Sequence, residues 1–257
     1  MEIEELLRNS FKKYPSVSSL ITAKDIKKWK SLSNEYNDFL EDYVYKVNFN
    51  ILTTLIAANF NIVAAINLLQ FFEDSLKIFP ELLQSNEFKR NIKSLTDFGF
   101  FSFLSELSVA KRYKSMGYKV RFNVKYAKLA KGKLKPKDVD IEATDKKGDR
   151  IYIDVYTPYK KTEIKGFSDL NANKDEFENL IDNKQFNKFH GLPSHQLIGK
   201  KLLEINCAYH DDYRISLALL GERYNIKGIV GIQMFHHDIA RASRSHLMQY
   251  IPIHQLT

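Results

Sequence analysis

The amino-acid sequence predicts a mixed α/β protein (α+β) with two regions: a helical N-terminal region, residues 1–95, and a domain with a mixed central sheet, residues 96–257. Three observations support this fold class. The first region divides into helix-length segments separated by prolines. Acidic and apolar residues then alternate through much of 137–156, which is the period of a β-strand. A nearly continuous apolar run at 227–235 is typical of a central strand buried on both faces.

The N-terminal region contains one segment, residues 51–72, that is apolar enough to raise the question of a membrane span. Asn and Gln side chains lie inside it, and such groups are costly in hydrocarbon, so we expect a buried helix and no membrane partner. This helix would lie either in the core of a helical domain or at a dimer seam. The predicted helices of the region span about 2–13, 22–31, 34–48, 49–75 and 77–94.

The next predicted helix spans residues 97–116 and ends at Gly117, because glycine favours helix C-caps. An apolar stripe runs along this helix, and Glu106 lies within the stripe. Glu106 is therefore either an acid held near the protein interior or an edge residue whose carboxylate reaches water. A strand is expected after the helix, since Y-K-V-R-F-N-V alternates polar and apolar residues.

A β-hairpin is predicted over residues 138–156, with a polar turn at D-K-K-G-D. Pairing the strands outward from this turn places Asp140 opposite Asp154. Glu142 then lies opposite Tyr152, although a shift of one residue would break this register. Facing carboxylates repel each other, so a bound divalent cation would explain the pattern. The alternative is a solvent-facing hairpin with an acidic outer face.

The formal net charge of +8 is concentrated after residue 100. Residues 1–100 contain 12 basic and 13 acidic residues, whereas residues 101–257 contain 27 and 18. A basic surface around a small acidic centre suits a polyanion held over a metal ion. The lysine-rich segments on either side of the hairpin are either phosphate contacts or solvated loops. Their lysines are Lys125, Lys128, Lys131, Lys133, Lys135 and Lys137 on one side and Lys160 and Lys161 on the other.

The single cysteine, Cys207, excludes an internal disulfide framework and indicates a reducing, cytoplasmic environment. The acidic N-terminal residues do not have the pattern of a signal peptide. After the hairpin, helices are predicted at about 174–190, 195–206 and 211–224, followed by the strand at 227–235, a short helix and an edge segment.

A helix with Glu106 is thus followed by V-D-I-E-A, which contains Asp140, and by I-Y-I-D-V-Y, which contains Asp154. Over about residues 97–236 this order of elements resembles the PD-(D/E)XK nuclease superfamily, which includes archaeal Holliday-junction resolvases and restriction-type endonucleases. The resemblance implies a restriction-endonuclease-like α-β-β-β-α-β core. It also implies hydrolysis of phosphodiester bonds in DNA, or less often RNA, with Mg²⁺ or alternatively Mn²⁺.

The resemblance implies that Asp140 and Asp154, with Glu106, hold the metal ion. Glu142 shares a face with Asp140 and is either a further ligand or a solvated hairpin residue. One departure from the family pattern concerns the proline before the first acid, where this chain has Val139.

A second departure affects the chemistry that the resemblance implies. The family has a lysine two residues after the second acid, which orients or activates the attacking water, and this chain has Tyr156 there. Either catalysis has been lost or another lysine replaces the missing one. A helix holds a side chain more precisely than a loop does, so we favour Lys200 or Lys201 on the predicted helix at 195–206 over Lys160 and Lys161.

The leading hypothesis is a cytoplasmic, Mg²⁺-dependent endonuclease that acts on nucleic acid, with DNA as the first choice and a homodimer as an open possibility. One alternative is a catalytically inactive nucleic-acid-binding protein with the same fold. Another is an interaction protein that acts through the helices of residues 1–95.

Overall fold

The structure is a computed structural model that describes residues 3–32, 50–93, 97–130, 133–157, 188–189, 192, 195–206, 230–237 and 248–250. The chain divides into two compact units. The first consists of Met1–Leu104 with Asp238–Leu247, and the second consists of Ser105–His237 with Met248–Thr257. The four acidic residues predicted to form a site all lie in the second unit.

The described part of the first unit is helical, as the sequence predicts, and the predicted helix at 34–48 lies outside the described residues. The helix predicted at 77–94 is divided: a 3₁₀ turn precedes a short α-helix whose N-cap, Ser85, accepts a hydrogen bond from the Phe88 N–H at 3.2 Å. The helical elements are α1 (Ile3–Lys13), α2 (Pro15–Ser18), α3 (Ala23–Leu32), α4 (Ile51–Ala58), α5 (Val63–Ile78), the 3₁₀ turn (Pro80–Gln84), α6 (Asn86–Ile92) and α7 (Asp97–Ser115), the last of which begins in the first unit and ends in the second.

The single helix predicted at 49–75 is two helices, α4 and α5, which meet at an angle of 117°. Asn61 in the connecting turn has a φ of 58°, a left-handed conformation that asparagine tolerates better than most residues. Asn50 caps α4 by accepting a hydrogen bond from the Thr53 N–H at 3.0 Å. Among the described residues, no single helix is long and apolar enough to cross a membrane, although α4 and α5 together meet that test.

The second unit contains a mixed sheet, as predicted. The described strands form one sheet in the order β1-β2-β3-β4-β5-β6. The β3–β4 and β4–β5 pairs are parallel, and the β1–β2, β2–β3 and β5–β6 pairs are antiparallel. The strands are β1 (Lys119–Ala130), β2 (Lys133–Thr144), β3 (Arg150–Tyr156), β4 (Lys200–Asn206), β5 (Val230–His237) and β6 (Met248–Tyr250).

The predicted hairpin is confirmed, with the predicted register over its paired residues, and Asp140 and Asp154 lie one position beyond the last pair, Ile141 with Ile153. Glu142 pairs with Tyr152, and the Asp145 N–H donates to Asp149 O at 3.0 Å across the turn. Gly148 has a φ of 91° in this turn, as a tight connection between antiparallel strands requires. The apolar face of the hairpin is buried, which is the physical reason that the register could be predicted.

The helix predicted at 195–206 is wrong, because residues 200–206 form strand β4 between β3 and β5. Leu202, Leu203 and Ile205 are buried there. A short apolar run of this kind fits a buried strand as well as a buried helix, so periodicity alone does not distinguish them. Of the helix predicted at 174–190, only residues 188–189 are described, and they are helical. The helix predicted at 211–224 lies outside the described residues.

Residues 125–130 and 133–137 of the lysine-rich segment are strand and not loop. Strands β1 and β2 stay paired out to Ala130 and Lys133, so these residues form the end of a long two-stranded ribbon. The β2–β3 pairing covers only Ile141 to Thr144. The outer part of the ribbon, residues 128–130 and 133–137, is called the basic arm below.

Candidate functional site

One buried and one partly buried carboxylate lie on neighbouring strands of the sheet. Asp154 on β3 has no exposed surface, and the side chain of Asp140 on β2 is 17% exposed. The Val155 N–H donates to Asp140 Oδ2 at 2.7 Å, which holds Asp140 against β3. The alternative of a solvent-facing acidic hairpin is therefore wrong at these two positions.

Lys188 places a partly buried ammonium group beside both carboxylates. Its Nζ contacts Asp154 Oδ1, lies 3.8 Å from Asp140 Oδ1 and donates to Asp138 O at 3.2 Å. Only 18% of the Lys188 side chain is exposed. Buried charges need partners of this kind, so Lys188, Asp140 and Asp154 form one electrostatic unit, which we call the Asp–Lys cluster.

Packing against the sheet fixes the position of Lys188. Tyr126 on β1 donates a hydrogen bond from its hydroxyl to Lys188 O at 2.8 Å. The neighbouring Phe189 belongs to a buried apolar cluster with Tyr126, Val139, Tyr152 and Leu197. The ammonium group therefore projects from a packed element, which positions it more precisely than a loop would.

Burial and neighbouring charges set the titration of the cluster. Burial raises the pKa of Asp140, and the charges of Asp154 and Glu106 raise it further. The Lys188 ammonium and the Val155 N–H oppose this effect, but the pKa of Asp140 stays well above its usual range. Burial lowers the pKa of Lys188, but attraction to Asp140 and Asp154 outweighs burial and raises the pKa overall.

Glu106 on α7 lies close enough to Asp140 for its charge to raise the pKa of that residue. Its side chain is half-buried, so it lies between the two alternatives expected from the sequence, an acid held near the interior and an edge residue whose carboxylate reaches water. The structure therefore brings three predicted acidic residues, Glu106, Asp140 and Asp154, into one electrostatic neighbourhood.

Glu142 has different surroundings from Asp140, although the sequence pattern treats the two alike. The residue is only 3% exposed, so the alternative of a solvated hairpin residue is wrong. Its Oε1 accepts a hydrogen bond from Arg121 Nη1 on β1 at 3.1 Å. The structure thus commits Glu142 to an ion pair with Arg121.

Lys200 and Lys201 lie on β4 instead of a helix, which corrects the basis on which they were favoured. They pair with Ile151 and Tyr152, whereas Asp154 pairs with Leu203. Three residues of strand separate Lys200 from Leu203, or about 10 Å. The lysine whose Nζ lies beside Asp140 and Asp154 is Lys188. Lys160 and Lys161 lie outside the described residues.

Sequence reasoning missed Lys188 because its partners are distant in the chain. The segment around it was predicted to be a helix, and a helix that follows β3 directly packs on the sheet that carries both aspartates. The position of this predicted helix therefore indicates a replacement lysine, whereas Lys200 and Lys201 lie in a segment that is strand β4.

The acidic residues can be tested against the metal ion that the sequence predicts. Within the described residues, no group of three or more His, Cys, Asp or Glu side chains is arranged to hold a metal ion. Mg²⁺ needs less than this in proteins, since it is commonly held by one or two carboxylates with water and substrate phosphates as its other ligands. Asp140 and Asp154 fit that smaller set.

The raised pKa of Asp140 predicts a pH-dependent stability in metal-free buffer. Between its unfolded pKa near 3.8 and its higher folded pKa, the folded state binds a proton that the unfolded state does not. The free energy of unfolding should therefore fall as pH rises through this window, and Asp140→Asn should make that slope shallower. Urea unfolding in EDTA at a series of pH values measures the slope.

Asp149→Asn is the matched control, because Asp149 is an exposed aspartate in the turn of the same hairpin. Asp140→Asn should have the shallower slope of the two variants. Equal slopes for Asp140→Asn and Asp149→Asn would contradict the assignment of the raised pKa to Asp140.

Comparison of the chain with known protein families, with curated proteins and with solved structures finds no match.

Proposed function

We propose that this protein is a Mg²⁺-dependent endonuclease that hydrolyses phosphodiester bonds, with DNA as the first choice of substrate. The observation that carries the proposal is the Asp–Lys cluster: two carboxylates on adjacent strands with a partly buried ammonium group in contact. This is the set of groups that the PD-(D/E)XK resemblance calls for, with Lys188 in place of the lysine that Tyr156 has replaced.

The order of elements supports the same proposal. Helix α7 is followed by the antiparallel strands β1, β2 and β3, then by the helical residues 188–189, and then by β4 beside β3. This order agrees with an α-β-β-β-α-β core of the restriction-endonuclease type. We therefore include in the proposal that the chain is a member of the PD-(D/E)XK superfamily and that its second unit has this core topology.

In the proposed mechanism, Asp140 and Asp154 would hold Mg²⁺, and the charge of Glu106 would add to the attraction. When bound, Mg²⁺ would polarise a phosphoryl oxygen and lower the pKa of a bound water. Lys188 lies beside both aspartates, where its ammonium group can orient the attacking water by hydrogen bonding and stabilise negative charge on the phosphoryl oxygens. Mn²⁺ suits the same oxygen ligands.

The experiment that tests the proposal is incubation of the purified protein with labelled single-stranded, duplex and branched DNA, and with RNA, in Mg²⁺, in Mn²⁺ and in EDTA. Metal-dependent cleavage of any substrate is the expected result. Binding without cleavage of any substrate under all conditions would overturn the catalytic proposal.

A second candidate function is a nucleic-acid-binding protein that has lost catalysis. The specific observation in its favour is that Lys188 already supplies the Asp–Lys cluster with positive charge, as a bound cation would. Calorimetric titration with Mg²⁺ separates the two candidates, because the endonuclease must bind the ion and the inactive protein need not.

Both candidates use the basic arm to hold phosphates. Lys128 pairs directly with Lys135. Lys133 and Lys137 lie two residues to either side of Lys135 on β2, and side chains two residues apart on a strand point the same way, so these four lysines share one face. Like charges placed opposite each other on a ribbon are unfavourable, and a polyanion relieves the repulsion. Lys125 is held by Asp138 at 2.8 Å instead, and Lys131 lies outside the described residues.

Replacing Lys133, Lys135 and Lys137 together by alanine should make duplex binding less dependent on salt. Each lost phosphate contact lowers the slope of log K against log salt by about 0.9, which gives a maximum change of about 2.7. Fluorescence anisotropy between 50 and 200 mM salt, roughly the range over which such slopes are resolved, measures it.

The matched control replaces three exposed lysines of the first unit, Lys12, Lys13 and Lys24, and makes the same change in net charge. An unchanged slope in the arm variant, or an equal change in the control, would exclude the basic arm as the phosphate contact.

A further inference from the structure

The basic arm carries two exposed leucines that neither the fold nor the proposed chemistry uses. Leu129 and Leu134 are directly paired across β1 and β2, and they are 57% and 62% exposed. Their Cβ atoms are expected about 5 Å apart, as in any directly paired antiparallel residues. They therefore form one apolar knob near the end of the ribbon.

The two faces of the arm differ in chemistry. The face with the leucine pair also contains the pair Ala127 and Pro136, whereas the opposite face carries the four lysines. Residues 126–137 contain five lysines and no acidic residue. This composition indicates a polyanionic partner with an apolar interior, because one face is suited to phosphates and the other to a dry surface.

The charge also argues against a second copy of this chain on the arm. Two arms packed through their leucine faces would bring their eight lysines close together with no acidic residue within either arm, and this accumulated like charge disfavours the association. In addition, lysine and proline residues disfavour the addition of a further strand at a sheet edge, and Pro136 lies within the arm.

Nucleic acid has both of the required surfaces. Its backbone is anionic, and its stacked bases form an apolar interior. Proteins that enter the minor groove commonly insert leucine, isoleucine, phenylalanine, methionine or proline side chains between base steps, while basic residues contact the backbone. A narrow ribbon with an apolar knob and a basic reverse face has the chemistry for this mode of binding.

We propose that Leu129 and Leu134 form a wedge that enters the minor groove of a duplex, opens one base step and kinks the nucleic acid there. The lysines of the arm hold the flanking phosphates. This inference deepens the proposed function and rests on it in one respect, that the second unit binds nucleic acid.

The fold also sets the distance between the wedge and the candidate catalytic groups. Leu134 and Asp140 lie on the same strand, six residues apart in sequence. At about 3.3 Å per residue they are separated by about 20 Å along β2. Duplex DNA rises about 3.4 Å per base pair, so the opened step should lie about six base pairs from the phosphodiester at the Asp–Lys cluster.

The wedge can be tested without cleavage, by measuring the fluorescence of 2-aminopurine placed at successive positions in a DNA duplex, with the full-length protein in EDTA. Unstacking increases this fluorescence. We expect an increase at one step in the wild-type complex and loss of that increase in the double variant Leu129→Ala, Leu134→Ala. Separate cleavage of the same duplex in Mg²⁺ locates the cut, which should lie about six base pairs from the bright step.

Two variants make the test specific. Met116→Ala and Ile198→Ala remove exposed apolar side chains, 56% and 69% exposed, from other parts of the same unit, and they should keep the increase. Circular dichroism of the double variant establishes that it is folded, and Leu129→Met, Leu134→Met should restore the signal.

The outcomes separate the wedge from the proposed function. No increase at any position in a bound duplex, no binding to duplex, or an undiminished increase in the double variant would overturn the wedge. Base opening without cleavage in any metal would support the wedge and overturn the catalytic proposal. Cleavage without base opening would support the catalytic proposal and overturn the wedge.

Discussion

Lys188→Met should abolish cleavage and destabilise the metal-free protein at neutral pH. The substitution keeps an unbranched chain of similar length but removes the ammonium group that contacts Asp154 and lies 3.8 Å from Asp140. Breaking a buried ion pair by removing one partner costs about 3–5 kcal/mol of unfolding free energy. Removal of a positioned proton-transfer or orienting group lowers kcat by about 10²–10⁴-fold.

The loss of stability in Lys188→Met should depend on pH in a defined direction. Lys188 lowers the pKa of Asp140, so its removal raises that pKa further. Protonation of the carboxylate in the folded state then offsets the missing positive charge. Urea unfolding in EDTA should therefore show the largest difference from wild type at neutral pH, and the difference should shrink as pH falls toward 4, which is about the unfolded pKa of an aspartate.

Three further substitutions make the Lys188 prediction decisive. Lys188→Arg keeps the charge and should keep most of the stability while lowering cleavage, because the guanidinium group has a different shape. Lys200→Met and Lys201→Met should keep cleavage, since β4 places those residues beside Ile151 and Tyr152. Full activity of Lys188→Met, or loss of activity in a Lys200 or Lys201 variant, would return the catalytic role to β4.

Elements with a clear period could be predicted from the sequence, and the hairpin of β2 and β3 is the best example. Apolar residues alternate with acids on β2 and with two tyrosines and Asp154 on β3, and a turn with Gly148 separates the strands, so local spacing alone sets the register. Burial of one face makes any other register unfavourable.

Strand β4 and the divided helix at α4 and α5 depend on information that local spacing does not contain. The run K-K-L-L-E-I-N suits either a helix or a strand, and its position between β3 and β5 decides the outcome. The break at Asn61 depends on a left-handed backbone conformation within an otherwise apolar segment.

The carboxylates of the candidate site could be predicted from the sequence, but the basic residue that pairs with them, Lys188, could not. The alternation of side chains along β2 places Asp140 and Glu142 on the same face. In the structure, however, Glu142 forms an ion pair with Arg121, and Asp140 forms one with Lys188. Which basic residue reaches which acid is a tertiary property, because Lys188 lies 48 residues from Asp140 and 34 from Asp154 along the chain.

Asp154→Asn should lower cleavage by about 10³-fold or more while leaving nucleic-acid binding intact or stronger. Stabilisation by a catalytic metal ion is worth several kcal/mol, and each 1.4 kcal/mol is about a factor of ten in rate. Asparagine retains the shape of aspartate but not the anionic oxygen that Mg²⁺ prefers. The loss of one negative charge also reduces repulsion of the phosphate backbone.

The metal-free stability of Asp154→Asn separates loss of a metal ligand from damage to the core. In this variant the Lys188 ammonium group still has the Asp140 carboxylate at 3.8 Å and the Asp138 carbonyl oxygen at 3.2 Å as partners. The side-chain oxygen of the new asparagine can also accept a hydrogen bond from Lys188. The unfolding free energy in EDTA should therefore stay within about 1 kcal/mol of wild type, the size of a typical net hydrogen bond. Thermal melting with and without Mg²⁺ should show stabilisation by the ion in the wild type and not in Asp154→Asn.

The paired experiment measures cleavage in Mg²⁺ and melting in EDTA for the wild type, Asp154→Asn and the exposed-turn variant Asp149→Asn. Wild-type cleavage by Asp154→Asn would exclude Asp154 as a metal ligand, and the endonuclease proposal would fall with it. If all three proteins bind nucleic acid and none cuts it, Tyr156 marks a lost activity. Lys188 then acts as the permanent counter-ion of the two aspartates in a binding protein.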